Sequence, residues 1–271
     1  MLGGMAHLVN FMGTDTLAGV VGAMDYYDAD VAGFSIPAME HSSVTSWGKE
    51  HELDAYRNML KHYAKPGALL ACVSDSYDIF AACEQWGTTL KAQVIASGAT
   101  LVIRPDSGDP VTTVAQCLAI LDQHYGHQKN AKGYKVLNHV RLIQGDGINE
   151  ESIRSILFKL TLDGYSADNV AFGMGGGLLQ QLDRDTLQFA MKCSAVQVDG
   201  VWRDVFKAPV GATGKHSKKG QMKLVRQADG RYTTLRQEEQ SDLPDQLQEV
   251  FRDGKIVRNM NFAEVRALSR Q

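Results

Sequence analysis

Cysteine is scarce: four in 271 residues, with Cys72, Cys83, Cys117 and Cys193 scattered and no C-x-x-C pair among them. That argues against a disulfide framework and against a thiolate zinc site, and it fits a reducing cytoplasm. Long apolar runs are missing too. None approaches the ~18 residues of a membrane span, and Met1-Leu2-Gly3-Gly4 lacks the basic stretch that opens a secretory leader. Neither sign of charge dominates. Lysine and arginine number 28 against 31 acidic residues, for a net charge of −3, so neither nucleic acid nor an anionic membrane is an expected partner. No internal repeat or low-complexity tract is present. With 44% hydrophobic and 22% charged residues, the chain has an ordinary globular composition. It is long enough for one large domain, or one with a small lobe.

From about residue 30 to 185 a rhythm recurs: a short apolar run, a polar or glycine-rich corner, then a helical stretch. Leu69–Val73 meets Ser74-Asp75-Ser76-Tyr77-Asp78, and Leu101-Val102-Ile103 meets Arg104-Pro105-Asp106-Ser107-Gly108-Asp109-Pro110. Val140–Ile143 meets Gln144-Gly145-Asp146-Gly147, and Val170-Ala171-Phe172 meets Gly173-Met174-Gly175-Gly176-Gly177. Such runs suit strands buried on both faces, and their alternation with helices implies βα units and parallel strands. Loops at the carboxyl ends of parallel strands converge on one rim, where the chemistry of such folds resides. After residue 193 the texture changes to short extended runs, with Asp229-Gly230 as a hairpin turn between Leu224-Val225 and Tyr232–Leu235. Leu247–Phe251 and Phe262–Leu268 read as short closing helices.

Each rim motif has a plain structural reading beside a functional one. The glycine run 173–177 lets backbone N–H groups approach a phosphate, but it also serves as a tight turn. Arg184 and Lys192 downstream supply countercharge and favour phosphate. Arg104 and Asp106 at one strand end can bind an anion and a ligand hydroxyl or cation together, whereas Asp109 before Pro110 is a helix cap. Asp146 between Gly145 and Gly147 can accept hydrogen bonds from a ribose diol, or be an ordinary loop residue. Asp75 competes with a capping role. His41 is a lone histidine, with no second histidine one helical turn away to suggest zinc. The carboxylates could instead recruit Mg²⁺ together with substrate phosphates. From the residues alone the chain reads as a barrel-like α/β enzyme with a rim for a phosphorylated sugar, its reaction left open.

The motifs Gly13-Thr14-Asp15-Thr16, Ser35–Ser42, Ser74–Asp78, Ile103–Gly108, Gln144–Gly147 and Phe172–Gln180, in this order and at these intervals, resemble the nicotinamide phosphoribosyltransferases. Val205-Phe206-Lys207 and Ser217-Lys218-Lys219-Gly220 continue the resemblance over almost the whole chain. It implies a type II phosphoribosyltransferase: an incomplete TIM-like α/β barrel over 1–190, then a smaller β-rich segment with closing helices over 191–271. It also implies transfer of phosphoribosyl from 5-phosphoribosyl 1-pyrophosphate to nicotinamide, with Mg²⁺, ATP as coupling substrate and a homodimer. On the matching positions, His41 is the phosphorylated histidine, Asp15 contacts the carboxamide with Arg104 beside it, and Asp106 lies near the reacting centre. Gly145, Asp146, Gly175, Gly176 and Arg184 hold ribose and phosphate, while Asp75 and Lys192 serve catalysis and phosphate binding. Family members are longer, so an amino-terminal lobe is absent here and is expected to be needed in trans. The rival expectations are a nicotinate phosphoribosyltransferase and an inactive nucleotide-binding remnant.

Overall fold

Two apolar helices, α1 (Leu2–Asn10) and α2 (Leu17–Tyr27), pack so closely that a Cβ on Gly19 would stand 2.8 Å from the backbone of Gly4. Glycine is required there because only a missing side chain admits such an approach. This arrangement belongs to a computed structural model that describes residues 1–181, 190–210, 216–239 and 241–270. The chain divides into two compact units, Met1–Gln181 with Arg266–Gln271, and Leu182–Val265.

In the first unit α3 (His41–Thr45) and α4 (Glu52–Tyr63) precede β1 (Leu69–Val73), α5 (Ile79–Gly87), α6 (Lys91–Ser97) and β2 (Thr100–Arg104). Helix α7 (Pro110–Tyr125), the hairpin β3 (His127–Lys129) and β4 (Lys135–Leu137), β5 (Val140–Gln144), α8 (Glu150–Leu162), β6 (Val170–Phe172) and α9 (Gly176–Gln180) follow. Strands β1, β2, β5 and β6 form one parallel sheet in that order, with Cys72 beside Ile103, Ile103 beside Leu142, and Gln144 beside Phe172. The expectation of an α/β fold with parallel strands is met. Short parallel bridges, Ala38 to Ala71 and Gly13 to Phe34, bring extended chain beside β1 and beside residue 13.

The core lies between the sheet and its helices. Leu70, Cys72, Leu101, Ile103, Val140 and Leu142 form one buried cluster with Tyr56, Trp86, Leu118 and Ile156. Burial of this apolar surface is what holds the βα units together. The strands are not all buried on both faces as the sequence suggests. β1 and β2 are covered, β5 alternates, and Ala171 in β6 is exposed. β6 is the edge of the sheet and has one neighbour among the described strands.

Helix starts follow their caps. Asp109 accepts the Thr112 amide at 2.9 Å with Pro110 in the first helical turn, as expected. Asn149 and Ser152 form a reciprocal capping box on α8. Three of the cysteines, Cys72, Cys83 and Cys117, are buried, and Cys193 is exposed. Burial pushes the Cys72 thiol up, and contact with Cys117 together with burial does the same to Cys83.

The second unit is built from hairpins: β7 (Ala195–Val198) with β8 (Val201–Asp204), β9 (Met222–Arg226) with β10 (Tyr232–Arg236), and β11 (Phe251–Arg252) with β12 (Lys255–Ile256). Each turn carries an Asp-Gly pair; at 199–200 and 253–254 both residues have positive φ, the geometry that suits a tight hairpin. The helix expected over Leu247–Phe251 does not form. Asp245 accepts the amides of Leu224 and Leu247, and the Gln246 amide donates to Leu224 O at 2.6 Å, which ties this stretch to β9 instead. One closing helix remains, α10 (Phe262–Leu268). Its last residues, from Arg266 onward, belong to the first unit, where the Arg266 guanidinium donates to Leu8 O at 2.8 and 2.9 Å and to Ala32 O at 2.5 Å.

Candidate active site

The carboxyl end of β1 is fixed from below. The Trp86 indole N–H donates to Ser74 Oγ at 3.0 Å, and Ser74 Oγ donates to Cys72 O at 3.0 Å, all within the core. Sequence alone leaves Asp75 divided between capping and catalysis, and the structure separates the two roles. Asp78 caps α5 by accepting the Phe80 and Ala81 amides, which leaves Asp75 for the rim.

Asp75 is the hub. Its side chain is 3% exposed, and its two oxygens are divided between partners. Oδ1 lies 2.9 Å from His41 Nε2, while Oδ2 accepts the Ser107 hydroxyl at 2.6 Å and the Asp106 amide at 3.0 Å. Burial disfavours its charge, but the hydrogen bonds from Ser107, His41 and the Asp106 amide outweigh burial and hold the carboxyl below its ordinary value. An ionised carboxylate only accepts hydrogen bonds, so His41 Nε2 carries a proton, and in the neutral ring Nδ1 then carries the lone pair. His41 begins α3, and its side chain is 44% exposed. It can therefore meet a ligand from solvent while the core fixes its other nitrogen.

Arg104, at the end of β2, is nearly covered and faces two acids. Its Nη1 and Nη2 lie 3.3 and 3.0 Å from the Glu40 carboxylate, and Nη2 lies 3.6 Å from Asp106 Oδ2. Its buried Nε has no hydrogen-bond partner among the described residues. Burial alone would lower its pKa, yet the Glu40 hydrogen bond and the neighbouring acids raise it, so the guanidinium is firmly cationic. The same pairing lowers the Glu40 pKa. Asp106 behaves in the opposite way to Asp75. Burial first, then the charges of Asp75 and Asp146, push it up against the pull of Arg104 and His41. Two carboxyl groups with opposed shifts side by side are a mark of acid–base or charge-stabilising sites.

Gly145 makes room for Asp106, and Gly173 lies beside Gly145 at ordinary contact distance. A Cβ on Gly145 would lie 2.9 Å from Asp106 Oδ1, and one on Gly173 would lie 3.5 Å from the Gly145 Cα. Gln144 orients its loop by donating from Nε2 to Asp146 O at 3.0 Å, while its buried Oε1 has no partner among the described residues. Gly175 is the N-cap residue of α9, and Gly176 is the first residue of that helix. Asp15 accepts the Ser35 hydroxyl.

Thus His41, Asp75, Arg104, Asp106, Gly145 and Asp146 meet around linked loops of the first unit. Lys192 lies exposed in the second unit, and Arg184 lies outside the described residues. Glu40, Ser107 and Ser35 carry no role in the sequence motifs, and the structure places them against Arg104, Asp75 and Asp15 respectively. Glu40 and Ser107 each stand one residue from an assigned group, His41 and Asp106, which is the available signal; Ser35 lies 20 positions from Asp15 and has none. Within the second unit, Phe206, Lys207, Ser217, Lys218 and Lys219 line one cavity of about 430 Å³, so two separated motifs are brought together there. Ser217 N donates to Lys207 O at 2.9 Å, and Lys207 N donates to Ser217 Oγ at 2.8 Å.

The loops at the carboxyl ends of the parallel strands gather Asp75, Asp106, the glycine-flanked Asp146, an arginine and a carboxylate-held histidine, groups able to meet an anionic, hydroxyl-bearing ligand. The sequence matches the nicotinate phosphoribosyltransferase (NAPRTase) family over residues 2–255, and the chain belongs to that family. A nicotinamide phosphoribosyltransferase of Xanthomonas campestris pv. campestris (strain 8004) is 59% identical over 98% of this chain and 58% of its own length. Another from Acinetobacter baylyi is 33% identical over 97% of this chain and 56% of its own, and one from Mycoplasma pneumoniae is 36% identical over 78% and 48%. The chain therefore spans about half to three-fifths of the length of these curated relatives.

Proposed function

We propose that this chain carries the catalytic portion of a pentosyltransferase that makes nicotinamide mononucleotide and pyrophosphate from nicotinamide and 5-phosphoribosyl 1-pyrophosphate, in NAD salvage. The observation that carries the reading is the shared Asp75 carboxylate. It holds His41 with one oxygen and the Arg104–Asp106 loop with the other. The names of the relatives support the choice of nicotinamide, and the name of the family keeps nicotinate as the second reading.

In the transfer step the pyridine nitrogen attacks the ribose C1 and the C1–O bond to pyrophosphate breaks, the bonding pair leaving with pyrophosphate. Positive charge develops on the sugar and negative charge on the leaving group. Asp106 and Asp146 are suited to the first and Arg104 to the second. Asp15 accepts the carboxamide NH₂. In the ATP-dependent step His41 Nδ1 takes the γ-phosphoryl group, an N–P bond forming as the P–O bond to ADP breaks. Asp75 stabilises the imidazole from the far side.

Among the described residues no three histidine, cysteine or acidic side chains converge as a metal cage. Mg²⁺ carried by a diphosphate needs only one or two protein carboxylates. Asp106 and Asp146, close enough to feel each other's charge, fit that requirement. The ion would neutralise phosphate charge there.

We extend the proposal to an incomplete barrel, a homodimer and a cytoplasmic location. Leu2, Leu17 and Met24, exposed on the first two helices, support cover by further polypeptide, either a second copy or an amino-terminal portion supplied in trans. Free cysteines support the cytoplasm, and among the described residues no helix is long and apolar enough to cross a membrane. The test is conversion of radiolabelled nicotinamide by the purified chain, with and without the amino-terminal portion of a relative. Product that depends on 5-phosphoribosyl 1-pyrophosphate is expected, at least with the added portion. Its absence in both mixtures leaves the remnant reading, and a preference for labelled nicotinate establishes the second.

A further inference from the structure

The hydroxyl of Ser107 lies in neither the ribose nor the base contacts assigned above, yet it makes the shortest hydrogen bond to Asp75, 2.6 Å to Oδ2. Among the described residues Asp75 has no second hydroxyl donor. Its Oδ1 is committed to His41, and the remaining bond to Oδ2 comes from the Asp106 backbone amide at 3.0 Å. A carboxylate rotates about two side-chain torsions, and without the Ser107 hydroxyl its plane is set by one backbone bond and by the half-exposed His41 ring, which can turn with it. A second donor on the same oxygen fixes it. The plane of Asp75 in turn decides whether Oδ1 points at Nε2, and so which nitrogen of His41 stays unprotonated. Ser107 also belongs to the loop of Arg104 and Asp106, so the histidine and the sugar-facing carboxylate share one mechanical reference.

We infer that Ser107 is a positioning residue that locks the tautomer of His41 and couples the phosphorylation of that histidine to the Asp106 loop. The inference rests on the proposed ATP-dependent role of His41, and it extends that role to a residue touching no substrate. Ser107→Ala removes the donor and keeps the loop backbone. Ser107→Thr keeps the hydroxyl and adds a methyl group to a partly exposed side chain.

Two measurements separate this inference from the reading beneath it. Nitrogen-15 NMR of the His41 ring reports the tautomer without any turnover. The unaltered chain and Ser107→Thr should show protonated Nε2, and Ser107→Ala should show mixed tautomers. Acid-labile phosphorylation from γ-labelled ATP should fall at least tenfold in Ser107→Ala and return in Ser107→Thr. Transfer without ATP, measured alongside with the amino-terminal portion supplied, should change less than twofold. An unchanged ring spectrum in Ser107→Ala, or an equal fall in both activities that threonine does not restore, overturns the inference. A chain with protonated Nε2 but no phosphorylation at all instead removes the ATP-dependent role of His41, and the coupling with it.

Discussion

Replacing Asp75 by asparagine changes one oxygen to an NH₂ group at nearly constant shape, and the structure dictates how the new amide must sit. Oδ2 meets two donors, the Ser107 hydroxyl and the Asp106 amide, and the amide N–H cannot be turned round. The asparagine oxygen therefore takes that side, and its NH₂ faces His41 Nε2, 2.9 Å away in the native pair. Two donors cannot face each other, so His41 moves its proton to Nδ1, the atom proposed to attack phosphorus. The loss resembles that seen when the orienting aspartate of a serine protease triad becomes asparagine, where the wrong tautomer costs about 10⁴ in rate. We expect phosphorylation of His41 to fall by ~10³–10⁴-fold, or about 4–5 kcal/mol of barrier. Stability should change far less, by about 1–3 kcal/mol, because a charged hydrogen bond is lost while a buried charge is also removed. The assay is acid-labile incorporation from γ-labelled ATP, with a melting curve on the same preparation to establish that the variant is folded. A folded Asp75→Asn chain phosphorylated within tenfold of the native rate would refute the argument from tautomers.

Three further outcomes are expected. Asp15→Asn replaces a pure acceptor by a group that can also donate, so the kcat/KM ratio of nicotinamide to nicotinate should fall by about tenfold or more; an unchanged ratio would mean that Asp15 does not read the amide. Gly145→Ala places a methyl group 2.9 Å from Asp106 Oδ1 and should depress transfer by displacing that carboxylate, with a melting temperature within a few degrees of native; full activity would show the carboxylate to be free to move. Asp122 is held below its ordinary value: burial opposes its charge, but bonds from His127 at 2.6 Å, Tyr165 at 3.1 Å and Lys135 at 3.3 Å prevail. Its stabilisation is thus complete above the unfolded carboxylate pKa of ~3.9 and is lost as pH falls through the lower folded value. Asp122→Asn should be less stable at pH 7, by about 1–2 kcal/mol, with the difference vanishing in acid; equal stability of the two proteins at pH 7 would contradict it.

Much of this architecture can be read from the chain because local signals agree with tertiary demands. The apolar runs at 69–73, 101–103 and 140–143 become strands, and Asp109-Pro110 starts its helix, since strand burial and helix capping depend on neighbours in sequence. Residues 247–251 mislead because their fate is decided at a distance, by Asp245 and Gln246 bonding to Leu224. The site shows the same division. Strand-end acids are visible as types, but their division of labour is not. Asp75 and Asp78 are three residues apart with equal capping credentials, and only the fold reveals that Asp78 takes the helix. Ser107 is hidden for the same reason, its partner lying 32 positions away.

The uneven placement of the thiols gives the molecule a built-in clock. With Cys193 open to solvent and Cys72, Cys83 and Cys117 enclosed, a thiol reagent should modify one sulfur per native chain at once. The other three become reactive only when the helices leave the sheet, so their slow modification measures how often the core opens. Because Cys72 sits within β1, two positions before Ser74 and three before Asp75, the same count reports how long the strand bearing the hub carboxylate stays shut.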